Sequence, residues 1–223
     1  GAFLASLTAG TITQSVQAAP APEHGQPVAA AVAKASNDNK FQYISQVQGQ
    51  PTQYVDCGPA SMLMALLQNN GRVPGSYNPS DQKRALAELR NEAPSGQEYL
   101  RTTDIAAVLT KRGVQGTELV NDDAFNAINQ IKNGKHAIVL TSTGVIEGED
   151  ISRAGDGHYV YISGYNKKDN TFTVNDPLKL NKKAYQATEQ QLHNIIAAAA
   201  QGNSRWAYTC LLYTSDAADD SLR

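Results

Sequence analysis

The sequence lacks the patterns that mark three common classes of protein. Its formal net charge is −2 and no run of basic residues stands out, which argues against a nucleic-acid partner. No apolar run reaches the roughly 18 residues that would span a bilayer, so no membrane span is expected. Cys-x-x-Cys, His-Glu-x-x-His, calcium-loop and phosphate-loop motifs are also absent. We therefore expect neither a metal ion nor a cofactor.

The residues that are present predict one folded domain with irregular ends. The chain has 223 residues, of which 41% are hydrophobic, enough for a single domain with its own core. Residues 1–18 carry no charge and end in a small-x-small pattern, which is typical of a truncated signal peptide. Residues 19–39 have no period and predict a flexible linker. We expect the protein to be secreted or periplasmic.

The carboxyl end has a different character from the rest of the chain. Residues 210–220 resemble the in-frame translation of a transposon-end sequencing adaptor, so residues 210–223 are expected to lie outside the fold. The predicted domain then covers residues 40–209, and Cys57 is its one cysteine. The alternative is a disulfide between Cys57 and Cys210, and that bond would exclude a reactive thiol.

Residue periodicity divides residues 40–209 into a helical half and a strand-rich half. After a short strand at 41–47, four helices are predicted, at 57–67, 81–91, 103–112 and 122–133. The second half predicts a strand at 137–140, a hairpin of 158–165 with 171–175, a helix opened by a capping box at Thr188, and a strand at 205–208. Helices followed by an antiparallel sheet predict the α+β class.

Cys57 stands at the predicted start of the first helix. Unpaired N–H groups and the helix dipole favour a thiolate there, although a buried and inert cysteine is the alternative. A nucleophilic thiol needs a base, and the base needs an orienting acceptor. His158 begins the predicted hairpin and Asp176 closes it, so the fold can bring them together. Asn175 is the alternative orienter.

An oxyanion formed during attack by a thiolate also needs hydrogen-bond donors. The backbone N–H of Cys57 can supply one of them. A side-chain amide upstream of the cysteine can supply the other, and the sequence offers four candidates: Gln46, Gln48, Gln50 and Gln53.

Four short segments resemble the motifs of a known family. They are Tyr43-Ile44-Ser45-Gln46, Asp56-Cys57-Gly58-Pro59-Ala60-Ser61, Gly157-His158-Tyr159-Val160 and Val174-Asn175-Asp176-Pro177. In this order they resemble bacteriocin-processing, papain-like cysteine peptidases of the double-glycine leader type, here as a stand-alone exported form. The resemblance covers about residues 41–208.

The resemblance implies a papain-like fold, a peptide or protein substrate and a thioester mechanism without a cofactor. Matched residue by residue, it makes Cys57 the nucleophile, His158 the base, Asp176 the orienting acid and Gln46 the oxyanion donor. Gln50 and Gln53 remain alternatives to Gln46, because the interval from Gln46 to Cys57 is long. A catalytically silent peptide-binding or structural domain of the same fold is the alternative function.

Overall fold

The computed structural model describes residues 39–178 and 183–213. The predicted signal peptide lies outside these residues, as do residues 214–223. Helices and strands follow in the order α1 (Cys57–Gln68), α2 (Lys83–Asn91), α3 (Thr102–Lys111), β1 (Gln115–Val120), α4 (Asp122–Lys132), β2 (His136–Ser142), β3 (Gly157–Asn166), β4 (Thr171–Asn175), β5 (Tyr185–Thr188), α5 (Glu189–Gln201) and β6 (Tyr208–Tyr213). Within the described residues, no helix is long and apolar enough to cross a membrane.

The strands form one sheet with helices on both faces. Its order is β1-β6-β2-β3-β4-β5, and each neighbouring pair is antiparallel. Helices α1, α2 and α3 pack on one face and form the first core. Helices α4 and α5 cover the other face and form the second core. This arrangement confirms the α+β class predicted from the order of the elements.

Strand β3 contributes side chains to both cores because successive residues of a strand point to opposite faces. Tyr159 and Tyr161 pack in the first core, whereas Val160 and Ile162 pack in the second. Alternation places His158, at the start of the strand, on the same face as Val160. The base predicted from the sequence is therefore held at one end of a central strand.

Helix α1 is buried on all sides, as an apolar helix inside a core must be. Every residue from Cys57 to Leu67 is buried, and the prediction of a helix at 57–67 is confirmed. Pro59 occupies the third helical position. Its missing N–H still costs no intrahelical bond there, because the first four N–H groups of a helix have no partner inside it.

Two predicted strands need correction, and two further strands are absent from the prediction. Residues 41–47 form no strand, and the last strand starts at Tyr208, not at residue 205. Strands β1 and β5 were not predicted. Strand β1 buries Thr117 and Glu118, so its sequence lacks the alternation of apolar and polar residues that identifies a half-buried strand.

The expectation that the fold ends at residue 209 is wrong, because the next four residues also belong to the sheet. Cys210–Tyr213 belong to β6, which lies between β1 and β2 in the sheet. Leu211 and Leu212 pair with β1 on one side and with β2 on the other, and both are buried. An apolar segment at this position completes the sheet whatever the origin of its codons. The adaptor origin of residues 210–223 stays a prediction.

Candidate active site

Cys57 is the first residue of α1 and is only 1% exposed. Its amide therefore lies among the unpaired N–H groups of the helix start. The side chain is a free thiol, as is that of Cys210. Cys210 is a residue of β6, paired with Glu118 of β1, and belongs to the first core, where burial raises the pKa of its thiol well above the usual range. The two cysteines thus lie in different environments and form no disulfide.

The hairpin of β3 and β4 brings His158 and Asp176 into contact. His158 follows the first residue of β3, and Asp176 comes directly after β4. The His158 Nε2 atom lies 2.6 Å from Asp176 Oδ1. The same carboxylate oxygen accepts a hydrogen bond from the Leu178 amide at 2.9 Å, and the Tyr43 hydroxyl donates to the backbone carbonyl of Asp176. Asp176 is thus fixed from several directions.

Cys57 and Asp176 act on the same imidazole ring. Burial alone lowers the pKa of His158, but the charge and hydrogen bond of Asp176, together with those of Cys57, raise that pKa to about 10. Because Nε2 faces Asp176, Nδ1 is the ring nitrogen that can face the thiol. This arrangement favours the charged imidazolium form of His158 beside the Asp176 carboxylate.

Asn175, the alternative orienter, lies on the other side of the strand. Its side-chain amide donates to the Tyr161 carbonyl at 3.1 Å and to Ser163 Oγ at 2.9 Å. Neighbouring residues of a strand point to opposite faces, so the side chain of Asn175 points away from His158. Of the two candidates, Asp176 makes that contact.

Gln46 is fully buried close to the same site. Its backbone N–H donates to the Pro177 carbonyl at 3.0 Å, which joins it to the segment that holds Asp176. Its Nε2 donates to the Gln53 carbonyl at 2.9 Å. A side-chain amide has two N–H groups, so a second donor remains. Its Oε1 finds no hydrogen-bond partner among the described residues.

The other three glutamines make different contacts. Both donors of Gln50 are used, by the Gln46 carbonyl at 2.7 Å and by Asp56 Oδ2 at 2.9 Å. Gln48 donates to the Ser45 carbonyl, and Gln53 accepts from the Gly49 amide. Of the four glutamines, Gln46 is thus the one that combines complete burial with a remaining donor.

A buried ion pair, which sequence reasoning missed, supports the residue before Cys57. Asp56 is 1% exposed, and its Oδ1 accepts from Arg90 Nε at 2.9 Å and Nη2 at 2.6 Å. Its Oδ2 accepts from Thr52 Oγ1 at 2.7 Å and from Gln50. Asp56 thereby connects α2, the glutamine-bearing loop and the start of α1. No local pattern could have signalled this, because Arg90 is 34 residues away.

A cavity of about 440 Å³ opens beside the histidine. His158 and Asp176 form part of its wall, whereas Cys57 and Gln46 do not. Most of the remaining wall comes from β2, the segment that follows it, and α5. As for metal ions, the described residues contain no group of three His, Cys, Asp or Glu side chains placed to hold one.

Comparisons with known proteins identify the family of the chain. The model of the "Peptidase_C39 like family" matches residues 38–209, which is more than half of the chain. The chain belongs to this family. Membership supports cysteine peptidase activity on peptide substrates and confirms the resemblance drawn from the four segments. Among curated proteins, none matches the chain.

Three solved structures are similar to this C39-like chain. One, described as a C39-like peptidase from Bacillus anthracis, has a TM-score of 0.50 and 13% identity, covering 79% of this chain and 98% of its own. The peptidase domain of Streptococcus ComA, a bifunctional ABC transporter, has a TM-score of 0.47, 16% identity and coverages of 78% and 99%. A double-glycine motif protease from an AMS/PCAT transporter, solved with its leader peptide, has a TM-score of 0.42, 12% identity and coverages of 82% and 99%. At such identity the Bacillus structure bears on the fold alone.

Proposed function

We propose that this protein is an exported cysteine peptidase that cleaves peptide bonds through a thioester on Cys57. The observation that supports this most strongly is the position of His158, which interacts with both Asp176 and Cys57. A thiol, an imidazole and an orienting carboxylate in contact are the parts that an activated nucleophile requires.

In the proposed reaction, His158 holds the proton of Cys57 and Asp176 holds the ring in place. The thiolate attacks the carbonyl carbon of the scissile bond, and the resulting oxyanion accepts from the Cys57 N–H and from Gln46 Nε2. The C–N bond then breaks as His158 gives its proton to the leaving nitrogen. Water attacks the thioester with His158 as base, the C–S bond breaks, and the acid product leaves.

The proposal is tested by incubating the purified chain with a peptide library and reading the new termini by mass spectrometry. We expect cleavage by the wild type and by Cys210→Ala, and none by Cys57→Ala. The Cys210 variant is a matched control, since it removes the other buried thiol. Cleavage that survives in Cys57→Ala would refute the proposal, and binding of peptides without cleavage would favour a catalytically silent domain.

Export rests on residues 1–18 and is likewise a proposal. Their uncharged, small-residue composition supports a signal peptide. Expression of the full gene in a bacterium, followed by fractionation and amino-terminal sequencing, tests it. Processing near residue 18 and recovery outside the cytoplasm would support export. Recovery of unprocessed protein in the cytoplasm would contradict it.

A further inference from the structure

The cavity beside His158 lies on one side of the proposed reaction centre. His158 and Val160 point from β3 to the face that α5 covers, and both line the cavity. The nucleophile begins α1, which packs on the opposite face. The cavity is thus open to the base and its orienting acid but does not include the nucleophile or the candidate oxyanion donor.

This position matters because the two halves of a substrate leave in different ways. The acyl half stays on Cys57 with its oxygen on the oxyanion donors, whereas the amine half must take its proton from His158. The residue after the scissile bond therefore passes next to the imidazole. A cavity that contacts the base and not the nucleophile is suited to that residue.

We propose that this cavity binds an aliphatic side chain on the residue that follows the scissile bond. The proposal deepens the peptidase function and rests on it. Five aliphatic residues form much of the wall: Val145, Ile146, Val160, Leu178 and Ile195. The volume falls in the range of ligand-binding pockets. Asp176 and Glu147 add carboxylates to the wall, which disfavours an acidic side chain.

A buried hydroxyl in the same wall indicates how the main chain of the substrate is held. Thr141 lies directly across from His158 in the register of β2 and β3, is 3% exposed and lines the cavity. Its Oγ1 has no hydrogen-bond partner within the described part of the chain. Buried hydroxyl groups are nearly always hydrogen-bonded. We assign this one to a main-chain group of the leaving segment.

The test uses the reverse of the leaving step, in which an amine attacks the thioester. An activated ester, N-benzyloxycarbonyl-glycine 4-nitrophenyl ester, acylates Cys57 and releases nitrophenol. An added amino-acid amide then attacks the carbonyl carbon, its proton passes to His158, and the C–S bond breaks to give a peptide. Leucinamide, glycinamide and glutamic acid α-amide are compared at about pH 8, where a large share of such α-amines is uncharged.

The proposal predicts that the rate of aminolysis saturates as the amine concentration rises. Leucinamide should react at least about tenfold faster than glycinamide, a difference that an apolar pocket can produce, and glutamic acid α-amide should react slowest. Thr143→Phe, at the edge of the cavity, should abolish this preference. Thr103→Phe, at an exposed position of α3, is the matched control and should keep it. Thr141→Val should lower the rates of aminolysis by leucinamide and by glycinamide by about the same factor, because it removes a contact to the main chain and not to the side chain.

The inference can be overturned in two distinguishable ways. Normal nitrophenol release with aminolysis that is unselective, or linear in amine at all concentrations, would refute the cavity assignment alone. Selectivity that persists in Thr143→Phe would do the same. Absence of nitrophenol release and of a thioester on Cys57 by mass spectrometry would refute the peptidase function and the inference together.

Discussion

Removing the charge of Arg90 is expected to destabilise the fold strongly. Asp56 has a side chain only 1% exposed, and that of Arg90 is 12% exposed. In Arg90→Met, the buried carboxylate keeps the neutral donors Gln50 and Thr52 but loses its charged partner. Breaking a buried pair from one side costs about 3–5 kcal/mol. At about 2–4 °C per kcal/mol for a domain of this size, Tm should fall by about 6–20 °C.

Urea unfolding followed by the fluorescence of Trp206, the one tryptophan of the chain, measures this loss. Trp206 packs against the first core, so its emission reports on the region around α1. The matched control is Lys83→Met, which removes an exposed pair with Asp81 whose charged atoms lie 3.9 Å apart. Such surface pairs contribute less than about 1 kcal/mol.

A double variant separates the lost pair from lost packing. Asp56→Asn removes the buried charge, so adding it to Arg90→Met should cost less than the sum of the two single changes. A loss below about 1 kcal/mol in Arg90→Met, equal to that of Lys83→Met, would refute the reasoning. So would strict additivity in the double variant, because Asp56 and Arg90 would then not be coupled.

Three further predictions concern the tail and the site. A chain ending at residue 209 should melt far below one ending at residue 213, because only the shorter chain lacks Cys210–Tyr213 from the middle of the sheet; equal melting curves by circular dichroism would contradict this. Asp176→Asn should keep part of the peptide cleavage and Asp176→Ala less, since an amide oxygen still accepts from the imidazole; equal rates would remove the orienting role. Burial lowers the pKa of His158, but Asp176 and Cys57 raise it from 6.5 to about 10. Protonated His158 therefore stabilises the folded state fully below about pH 6.5, and this stabilisation is lost as the pH rises toward 10. The difference in unfolding free energy between wild type and His158→Gln should therefore shrink over that range in urea titrations, and a difference that grows would refute the assignment.

Features set by local sequence could be predicted. The apolar run after Cys57 is long enough to identify α1, and the turn between two β-rich segments identifies the hairpin. Because that hairpin is local, the proximity of His158 and Asp176 follows from it. The capping box at Thr188 is also local, and the structure has it, with Gln191 as the reciprocal partner.

Features that depend on distant packing could not be predicted. The Asp56–Arg90 pair exists because α2 packs against α1, which no sequence window contains. The segment at 41–47 has a strand-like pattern, yet Gln46 bonds to the Pro177 carbonyl outside any strand ladder. The apolar end of β6 resembles an adaptor sequence, but its pairing with two strands depends only on the chemistry of its residues.

Covalent labelling of the two thiols tests the central claim most directly. Both Cys57 and Cys210 are free and buried, so burial alone predicts no difference between them. The account predicts that a limiting amount of iodoacetamide near pH 6 alkylates Cys57 and does not alkylate Cys210, which mass spectrometry of the digested chain can map. It also predicts that His158→Ala slows the labelling of Cys57 sharply. Equal labelling of the two cysteines, or a rate at Cys57 that does not change in His158→Ala, would contradict it.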